Sequence, residues 1–199
     1  MKTPAPNSQP DNSRRTFLKT SAAAAITTGA LTIPKQVHAA GDDVIKIGLV
    51  GCGGRGTGAA KQALTADKGN RLVAMGDAFA DRVEMSLGSL SRQEGISDQI
   101  DVPKERQFTG FDAYKNVIEN VDVVLLATPP GFRPAHLKAA IDAGKHVFAE
   151  KPVAVDAPGV RSVLETCELA AKKSLSVVSG LCLRYSYGFK DIAKRIHDG

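Results

Sequence analysis

Several residue types are scarce in this chain, and each shortage excludes a class of protein. The 199 residues include no tryptophan, seven phenylalanines and three tyrosines, and no aromatic residue is interleaved with a basic stripe. A nucleic-acid-binding surface combines a basic patch with such aromatic or motif residues. The composition therefore argues against binding of RNA or DNA.

Cysteine is also rare, and its spacing is uninformative. Cys52, Cys167 and Cys182 lack both a CxxC pair and the spacing of metal ligands, and an odd number argues against a disulfide framework. We expect all three to be small side chains that pack without a redox role. No Ser or Cys nucleophile is paired with a His and a carboxylate, and no His/Asp/Glu cluster predicts a metal site.

The excess of positive charge is confined to the N-terminus. The net charge is +5, but residues 1–39 hold five basic residues and one acidic residue, so the other 160 residues carry only +1. The segment Ser13-Arg14-Arg15-Thr16-Phe17-Leu18-Lys19 resembles a twin-arginine export signal. The apolar run Thr20–Ile33 that follows is shorter than the ~20 residues of a membrane-spanning helix.

This pattern predicts export to the periplasm by the twin-arginine machinery, with cleavage after Ala39. An uncleaved membrane anchor is the alternative. The twin-arginine route carries folded proteins, often with their cofactor already bound. An enzyme exported in this way is expected to hold its cofactor tightly and to recycle it.

Residues 47–56 join a buried-strand pattern to a glycine turn. Gly51, Gly53 and Gly56 fit G-x-G-x-x-G, and Asp77 follows 21 residues after Gly56. In this motif the first glycine permits a tight turn, the second lets a pyrophosphate approach the backbone, and the third lets a helix pack on the strand. The helix N-terminus presents unpaired N–H groups to the phosphates, and the Asp accepts ribose hydroxyls. The spacing therefore predicts a dinucleotide site.

Strand and helix patterns alternate from residue 43 onward. Strands are predicted at 44–50, 71–76, 121–127, 146–149 and 175–179. Helices are predicted after the glycine turn and at about 80–93, 111–119, 134–143 and 156–173, with a loop at 95–106 and a helix-like segment at 189–196. Asp156 is the expected N-cap of the helix at 156–173, in which Val160, Val163, Leu164 and Cys167 are expected to face inward. This alternation predicts an α/β fold, a doubly wound parallel-sheet Rossmann domain. Ligands of such a fold bind at the carboxyl ends of the strands.

Distinctive residues follow four of the predicted strands. They are the glycine turn, Asp77, Thr128-Pro129-Pro130 and Glu150-Lys151-Pro152. Pro152 restricts Lys151 to extended backbone at the rim of the crevice, where its amine could donate to a substrate oxygen or a nicotinamide carboxamide. Partial burial would lower its pKa and allow a share in proton transfer. A solvated loop lysine fits the pattern equally well. For His136, a packing role is favoured over substrate contact.

The same features, with Ala143-Gly144-Lys145-His146-Val147, resemble the Gfo/Idh/MocA oxidoreductase family over residues 43–199. The resemblance implies an NAD cofactor, with NADP less favoured, and a sugar or cyclitol substrate. It implies that Asp77 holds the adenosine ribose and that Thr128 and Pro129 flank the dinucleotide. It also implies that Glu150 and the catalytic Lys151 reach the nicotinamide and substrate. The residues implied to surround the pyrophosphate are those of the glycine turn: Gly51, Cys52, Gly53, Gly54, Arg55 and Gly56.

That family also has a second α/β domain, which supplies further catalytic residues and an oligomer interface. We expect residues 1–39 to be the export signal, 40–182 the Rossmann domain and 183–199 the start of a truncated second domain. The full-length form is expected to be a homo-oligomer. Two other functions stay open: an NAD-dependent glycosidase that oxidises its substrate transiently, and a non-catalytic dinucleotide-binding module.

Overall fold

Hydrophobic strands alternate with helices along residues 44–199, the part of the chain that the computed structural model describes. The strands are β1 (Ile45–Val50), β2 (Asn70–Asp77), β3 (Gln107–Thr109), β4 (Val123–Leu126), β5 (His146–Ala149) and β6 (Val177–Ser179). The helices are α1 (Gly54–Ala66), α2 (Ala80–Ser91), α3 (Ala113–Glu119), α4 (Arg133–Asp142), α5 (Ala157–Lys172), α6 (Cys182–Tyr185) and α7 (Tyr187–Asp198). The predicted export signal lies outside the described residues.

The six strands of residues 44–199 all run parallel in one sheet, in the order β3-β2-β1-β4-β5-β6. The connections reverse direction between β1 and β4, which is where a doubly wound sheet forms its ligand crevice. β1 is central and is buried from Ile47 to Val50, as a strand covered on both faces must be. The predicted Rossmann α/β fold is confirmed.

Two apolar cores cover the two faces of the sheet. On one face α1 and α2 pack Ala60, Leu64, Val83 and Leu90 against β1 and β2. On the other, α3, α4 and α5 pack apolar residues against the same strands and against β4 and β5; these include Val117, Ile118, Leu137, Ile141 and Val163. Because each fully buried aliphatic side chain contributes roughly 1.5–3 kcal/mol, these clusters fix the strand order and hold the carboxyl ends of the strands in place.

The sequence prediction missed β3. This strand has three residues and adds to the edge of the sheet beside β2, pairing Met75 with Gln107 and Asp77 with Thr109. A segment that short shows no measurable alternation of apolar and polar residues. The loop predicted just before it contains two short 3-10 turns, Ser97–Gln99 and Lys104–Arg106.

Helix α5 begins as predicted but does not bury all the residues expected. The Asp156 carboxylate accepts the Gly159 N–H at 2.7 Å and caps the helix. Val163 is buried, whereas Val160 and Leu164, also expected to face inward, are 43% and 60% exposed. The prediction that Val160 and Leu164 face inward was wrong, because periodicity identifies an apolar face of a helix without showing what covers that face.

The C-terminal segment forms the helix predicted for it, α7, which is exposed throughout. Cys182, expected to pack as a small apolar group, is exposed at the start of α6, so that expectation was wrong. Among residues 44–199, no helix combines the length and the apolar character that crossing a membrane requires.

Candidate functional site

The glycine turn after β1 brings three strand ends together. Gly51 has φ +94°, a backbone conformation that residues with a side chain rarely adopt. Its N–H donates to the Gly76 carbonyl at the end of β2 (2.8 Å). A Cβ on Gly51 would lie 2.6 Å from the Thr128 nitrogen beyond β4. A side chain at position 51 would therefore disrupt both the turn and its packing against the β4 loop.

The outer side of the turn is open. Gly53 is the N-cap of α1, so no side chain at this position caps the first N–H groups of the helix. A Cβ added to Gly53 or Gly54 would meet no described atom within 4 Å. A Cβ on Gly56 would instead overlap the Gly51 carbonyl oxygen, so only glycine lets α1 start so close to β1. The bare N-terminus of a 13-residue helix, free of acidic residues in its first turn, fits a pyrophosphate.

The Asp77 carboxylate binds the turn from the end of β2. Its Oδ2 accepts the Cys52 N–H at 2.7 Å, and its Oδ1 accepts the Phe79 N–H at 3.1 Å. Two backbone donors leave part of the lone-pair capacity of an ionised carboxylate unused. Asp77 therefore orders the turn and can still accept hydrogen bonds from a ribose diol.

Cys52 has a structural role. Its side chain is 3% exposed, and its Sγ lies 3.5 Å from the Gly76 carbonyl oxygen. Burial, reinforced by the negative charge of Asp77, raises the pKa of the Cys52 thiol to about 12. The thiol therefore stays protonated and unreactive at neutral pH, as expected for a small side chain that fits the turn.

A cleft of about 490 Å³ opens at the strand ends beside the turn. Its lining includes five residues of the predicted site, namely Gly51, Gly53, Asp77, Thr128 and Pro129. Cys52 and Gly54 line a neighbouring recess between α1 and α2, which also includes Gly53. The fold thus gathers five of the predicted residues at the cleft and places Cys52 and Gly54 in the recess beside it. Neither space is lined by the other predicted residues, which are Arg55, Gly56, Glu150 and Lys151.

The far wall of the cleft is aromatic. The His136 ring is 7% exposed and stacks on Tyr114, with 4.1 Å between ring centroids, and on Phe132, with 6.0 Å. Its Nδ1 lies 3.3 Å from the Thr128 hydroxyl. Burial lowers the pKa of His136 to about 4, so the imidazole is neutral at pH 7. The predicted packing role of His136 agrees with these contacts.

Phe111 and Phe132 stack at the rim of this wall, and the exposed Phe79 also lines the cleft. The predicted site did not include Phe79, Phe111, Tyr114 or Phe132. They lie in the three segments that follow β2, β3 and β4, and only the sheet brings these segments together. Six of the ten aromatic residues of the chain lie elsewhere, so composition does not single these four out.

The Glu150 carboxylate connects the end of β5 to the glycine turn. The side chain is 5% exposed, and Oε1 accepts a hydrogen bond from Arg55 Nε at 2.6 Å. A Cβ on Gly180 would lie 2.6 Å from Glu150 Oε2, so the carboxylate occupies the space that a side chain would need just after β6. Glu150 therefore ties the glycine turn after β1 to the end of β5 and packs closely against Gly180 after β6.

Lys151 follows Glu150 directly but is exposed, and its amine makes no hydrogen bond or ion pair with another residue of the described segment. The partial burial considered for Lys151 is therefore not observed. The backbone on both sides of Lys151 is held by Arg133, which the sequence analysis did not single out. Arg133 Nη1 donates to the Glu150 carbonyl at 2.7 Å and to the Pro152 carbonyl.

Metal-ligand chemistry finds no support in this region. Within residues 44–199, the side chains of His, Cys, Asp and Glu form no group of three that could bind a metal ion. The polar groups at the strand ends are backbone amides, the Asp77 and Glu150 carboxylates and two arginines, a set suited to phosphates and hydroxyls. The open turn, the carboxylate and the aromatic wall together fit a dinucleotide.

Comparison with known proteins agrees with this geometry. The model of the GFO_IDH_MocA family, described as an oxidoreductase family with an NAD-binding Rossmann fold, matches residues 45–180, more than half of the chain. A glycosyl hydrolase family 109 protein of Shewanella pealeana is 28% identical over 81% of this chain and 38% of its own length. Inositol 2-dehydrogenase 4 of Saccharopolyspora erythraea is 32% identical over 78% of this chain and 41% of its own.

Among solved structures, scyllo-inositol dehydrogenase from Lactobacillus casei, with bound NAD(H) and scyllo-inositol, superposes with a TM-score of 0.62. That similarity covers 79% of this chain and 42% of the dehydrogenase, at 22% identity, and it establishes the shared fold. The chain spans about two fifths of the length of the curated relatives it matches.

Proposed function

The chain belongs to the Gfo/Idh/MocA oxidoreductase family and carries its NAD-binding Rossmann fold, and from this we propose that it serves hydride transfer between nicotinamide and a hydroxyl-bearing carbon of a sugar or cyclitol. The observation that carries the proposal is the cleft at the strand ends. There the open turn at Gly53, the Asp77 carboxylate and the aromatic wall beside His136 face one another.

Each part of the cleft has a separate binding task. The first-turn amides of α1 donate hydrogen bonds to the pyrophosphate, and Asp77 accepts hydrogen bonds from the hydroxyls of the adenosine ribose. The rings of Phe111 and Phe132 offer stacking surface to the adenine. A carboxylate at position 77 repels a ribose 2′-phosphate, so we expect NAD to bind more tightly than NADP.

The chemical role falls to the loop after β5. A bound nicotinamide dinucleotide would supply the hydride acceptor or donor. The Lys151 amine is exposed next to Glu150, whose carboxylate contacts the glycine turn. From there Lys151 donates a hydrogen bond to the reacting oxygen and orients it. His136 is neutral and enclosed by aromatic rings, so it shapes the wall of the cleft and transfers no proton.

A second candidate is an NAD-dependent glycosidase, in which the substrate is oxidised, cleaved by elimination and reduced again on the same cofactor. Relatives named glycosyl hydrolase family 109 proteins, from Shewanella pealeana and other bacteria, favour it. The overall reaction is then hydrolysis without accumulation of NADH. A third candidate is a non-catalytic dinucleotide-binding module, which requires the cleft but no catalytic residue.

The test begins with binding of NADH to the purified chain, followed by its fluorescence, and continues with panels of cyclitols, sugars and glycosides. Binding with net NADH formation supports the dehydrogenase, and glycoside cleavage without net NADH supports the glycosidase. Binding without turnover supports the module. No affinity for NADH or NADPH would refute all three.

We further infer that residues 1–39 direct the protein to the periplasm through the twin-arginine machinery. The support is the sequence pattern around Arg14 and Arg15. Cell fractionation should find the unaltered chain in the periplasm and the double variant Arg14→Lys/Arg15→Lys in the cytoplasm. An N-terminus at residue 40 would show cleavage after Ala39, and an intact N-terminus in the membrane fraction would show the anchored form.

A further inference from the structure

The Arg133 guanidinium is a buried cation at the start of α4, in the wall of the cleft. It is 6% exposed, and its Nη1 donates to two carbonyls, those of Glu150 and Pro152. These two residues are the immediate neighbours of Lys151. One nitrogen thus fixes the backbone before and after the residue that the proposed function places nearest the reacting oxygen.

Burying the Arg133 guanidinium in these surroundings is energetically unfavourable, more so than a residue that only fills space would require. Burial lowers the pKa of Arg133, and the nearby Glu150 carboxylate opposes that change. Arg133 Nε is buried and has no hydrogen-bond partner among the described residues. A buried donor without a partner is unfavourable, so the two carbonyl contacts and the neighbouring carboxylate must compensate for it.

We infer that Arg133 is a positioning residue, which holds the loop around Lys151 so that the lysine amine stays at the nicotinamide end of the cofactor. This inference rests on the proposed function. Arg133 acts through backbone carbonyls, and a lysine can donate to the same acceptors. A neutral glutamine at position 133 has no charge and a shorter reach, so it releases the loop.

The test compares Arg133→Gln and Arg133→Lys with the unaltered chain. The control is Arg161→Gln, since Arg161 is exposed on α5 and is not part of the cleft. Hydrogen–deuterium exchange of the peptide around Lys151 reports on the loop in the free protein. Acetylation of Lys151, measured by peptide mass spectrometry, reports on its protection by NADH. ADP-ribose lacks the nicotinamide and measures the rest of the site.

Arg133→Gln should accelerate exchange of the Glu150 N–H, which donates to the Leu126 carbonyl at 2.9 Å, without cofactor. It should weaken NADH binding about tenfold, as expected for the loss of charge-assisted hydrogen bonds, while ADP-ribose affinity changes less than about twofold. Protection of Lys151 by NADH should disappear in Arg133→Gln and return in Arg133→Lys. Arg161→Gln should match the unaltered chain in every measurement.

Unchanged exchange in Arg133→Gln would overturn the inference. Equal weakening of NADH and ADP-ribose would also overturn it, because Arg133 would then act only as a wall of the cleft. If the unaltered chain binds NADH but NADH does not protect Lys151, the positioning role fails and the dinucleotide site stands. If the unaltered chain binds no NADH, the proposed function fails and the inference falls with it.

Discussion

Arg55 Nε lies 2.6 Å from Glu150 Oε1, and this ion pair ties the glycine turn after β1 to the end of β5. The two partners are unequally exposed, at 49% for the Arg55 side chain and 5% for that of Glu150. Removing the arginine therefore leaves a buried carboxylate, whereas neutralising the carboxylate leaves an arginine that water can reach.

This asymmetry predicts unequal effects on stability. Arg55→Met should lower the free energy of unfolding by about 2–3 kcal/mol, since an unpaired buried charge is costly even with Arg133 nearby. Glu150→Gln should cost less, about 1 kcal/mol, because the amide retains an acceptor for Arg55. Urea unfolding at pH 7 measures both. Equal losses would mean that Glu150 is better solvated than its burial indicates.

Gly53→Val separates binding from folding. A Cβ at Gly53 meets no described atom, so the free energy of unfolding should change by less than about 1 kcal/mol. The side chain would, however, occupy the space where a pyrophosphate approaches the amides of α1. NADH titration should therefore show loss of most of the affinity.

Gly88→Ala is the matched control, because a Cβ there makes only ordinary contact with the side chain of Arg92, the C-cap residue of α2. It should leave NADH affinity unchanged and raise stability by roughly 0.5–1 kcal/mol, as expected for alanine in a helix interior. NADH binding that survives Gly53→Val would place the pyrophosphate elsewhere.

Asp77→Asn should alter cofactor preference. The amide removes the negative charge beside the ribose while its oxygen can still accept the Cys52 N–H. We expect weaker NADH binding, stronger NADPH binding and a ratio of the two affinities that shifts by about tenfold. Parallel titrations with the two cofactors measure it. A ratio that does not move would show that Asp77 serves only to order the turn.

His136 should make stability depend on pH. Its folded-state pKa of about 4 lies below the ordinary value of 6.5, so between these values the unfolded chain binds a proton that the folded protein does not. The free energy of unfolding should therefore fall as the pH drops from 6.5 towards 4, by up to about 3 kcal/mol from this residue, and should be constant in this respect above 6.5.

His136→Phe keeps an aromatic ring between Tyr114 and Phe132 and removes the titrating group. Urea unfolding from pH 7 to pH 4.5 should show the stability advantage of the unaltered protein shrinking as the pH falls. Stability curves that stay parallel over this range would mean that the imidazole becomes protonated without penalty in the folded state.

Local sequence patterns predicted most of the helices and strands. The strand at His146–Ala149 and the Asp156 cap agree with the structure because short-range periodicity and capping chemistry set them. The three-residue strand β3 was missed because its pairing with β2 depends on the sheet edge. Val160 and Leu164 were placed inward wrongly, since an apolar face does not reveal what covers it.

The sequence by itself determined the glycine turn, the Asp that follows it and the alternation of strands and helices, because each depends on residues close together in the chain. Only the tertiary structure decided that Arg55 pairs with Glu150, that Arg133 holds the backbone around Lys151, and that aromatic residues from separate loops form one wall. Such contacts join residues distant in sequence, and they exist only where packing of the parallel sheet brings the strand ends within hydrogen-bonding reach.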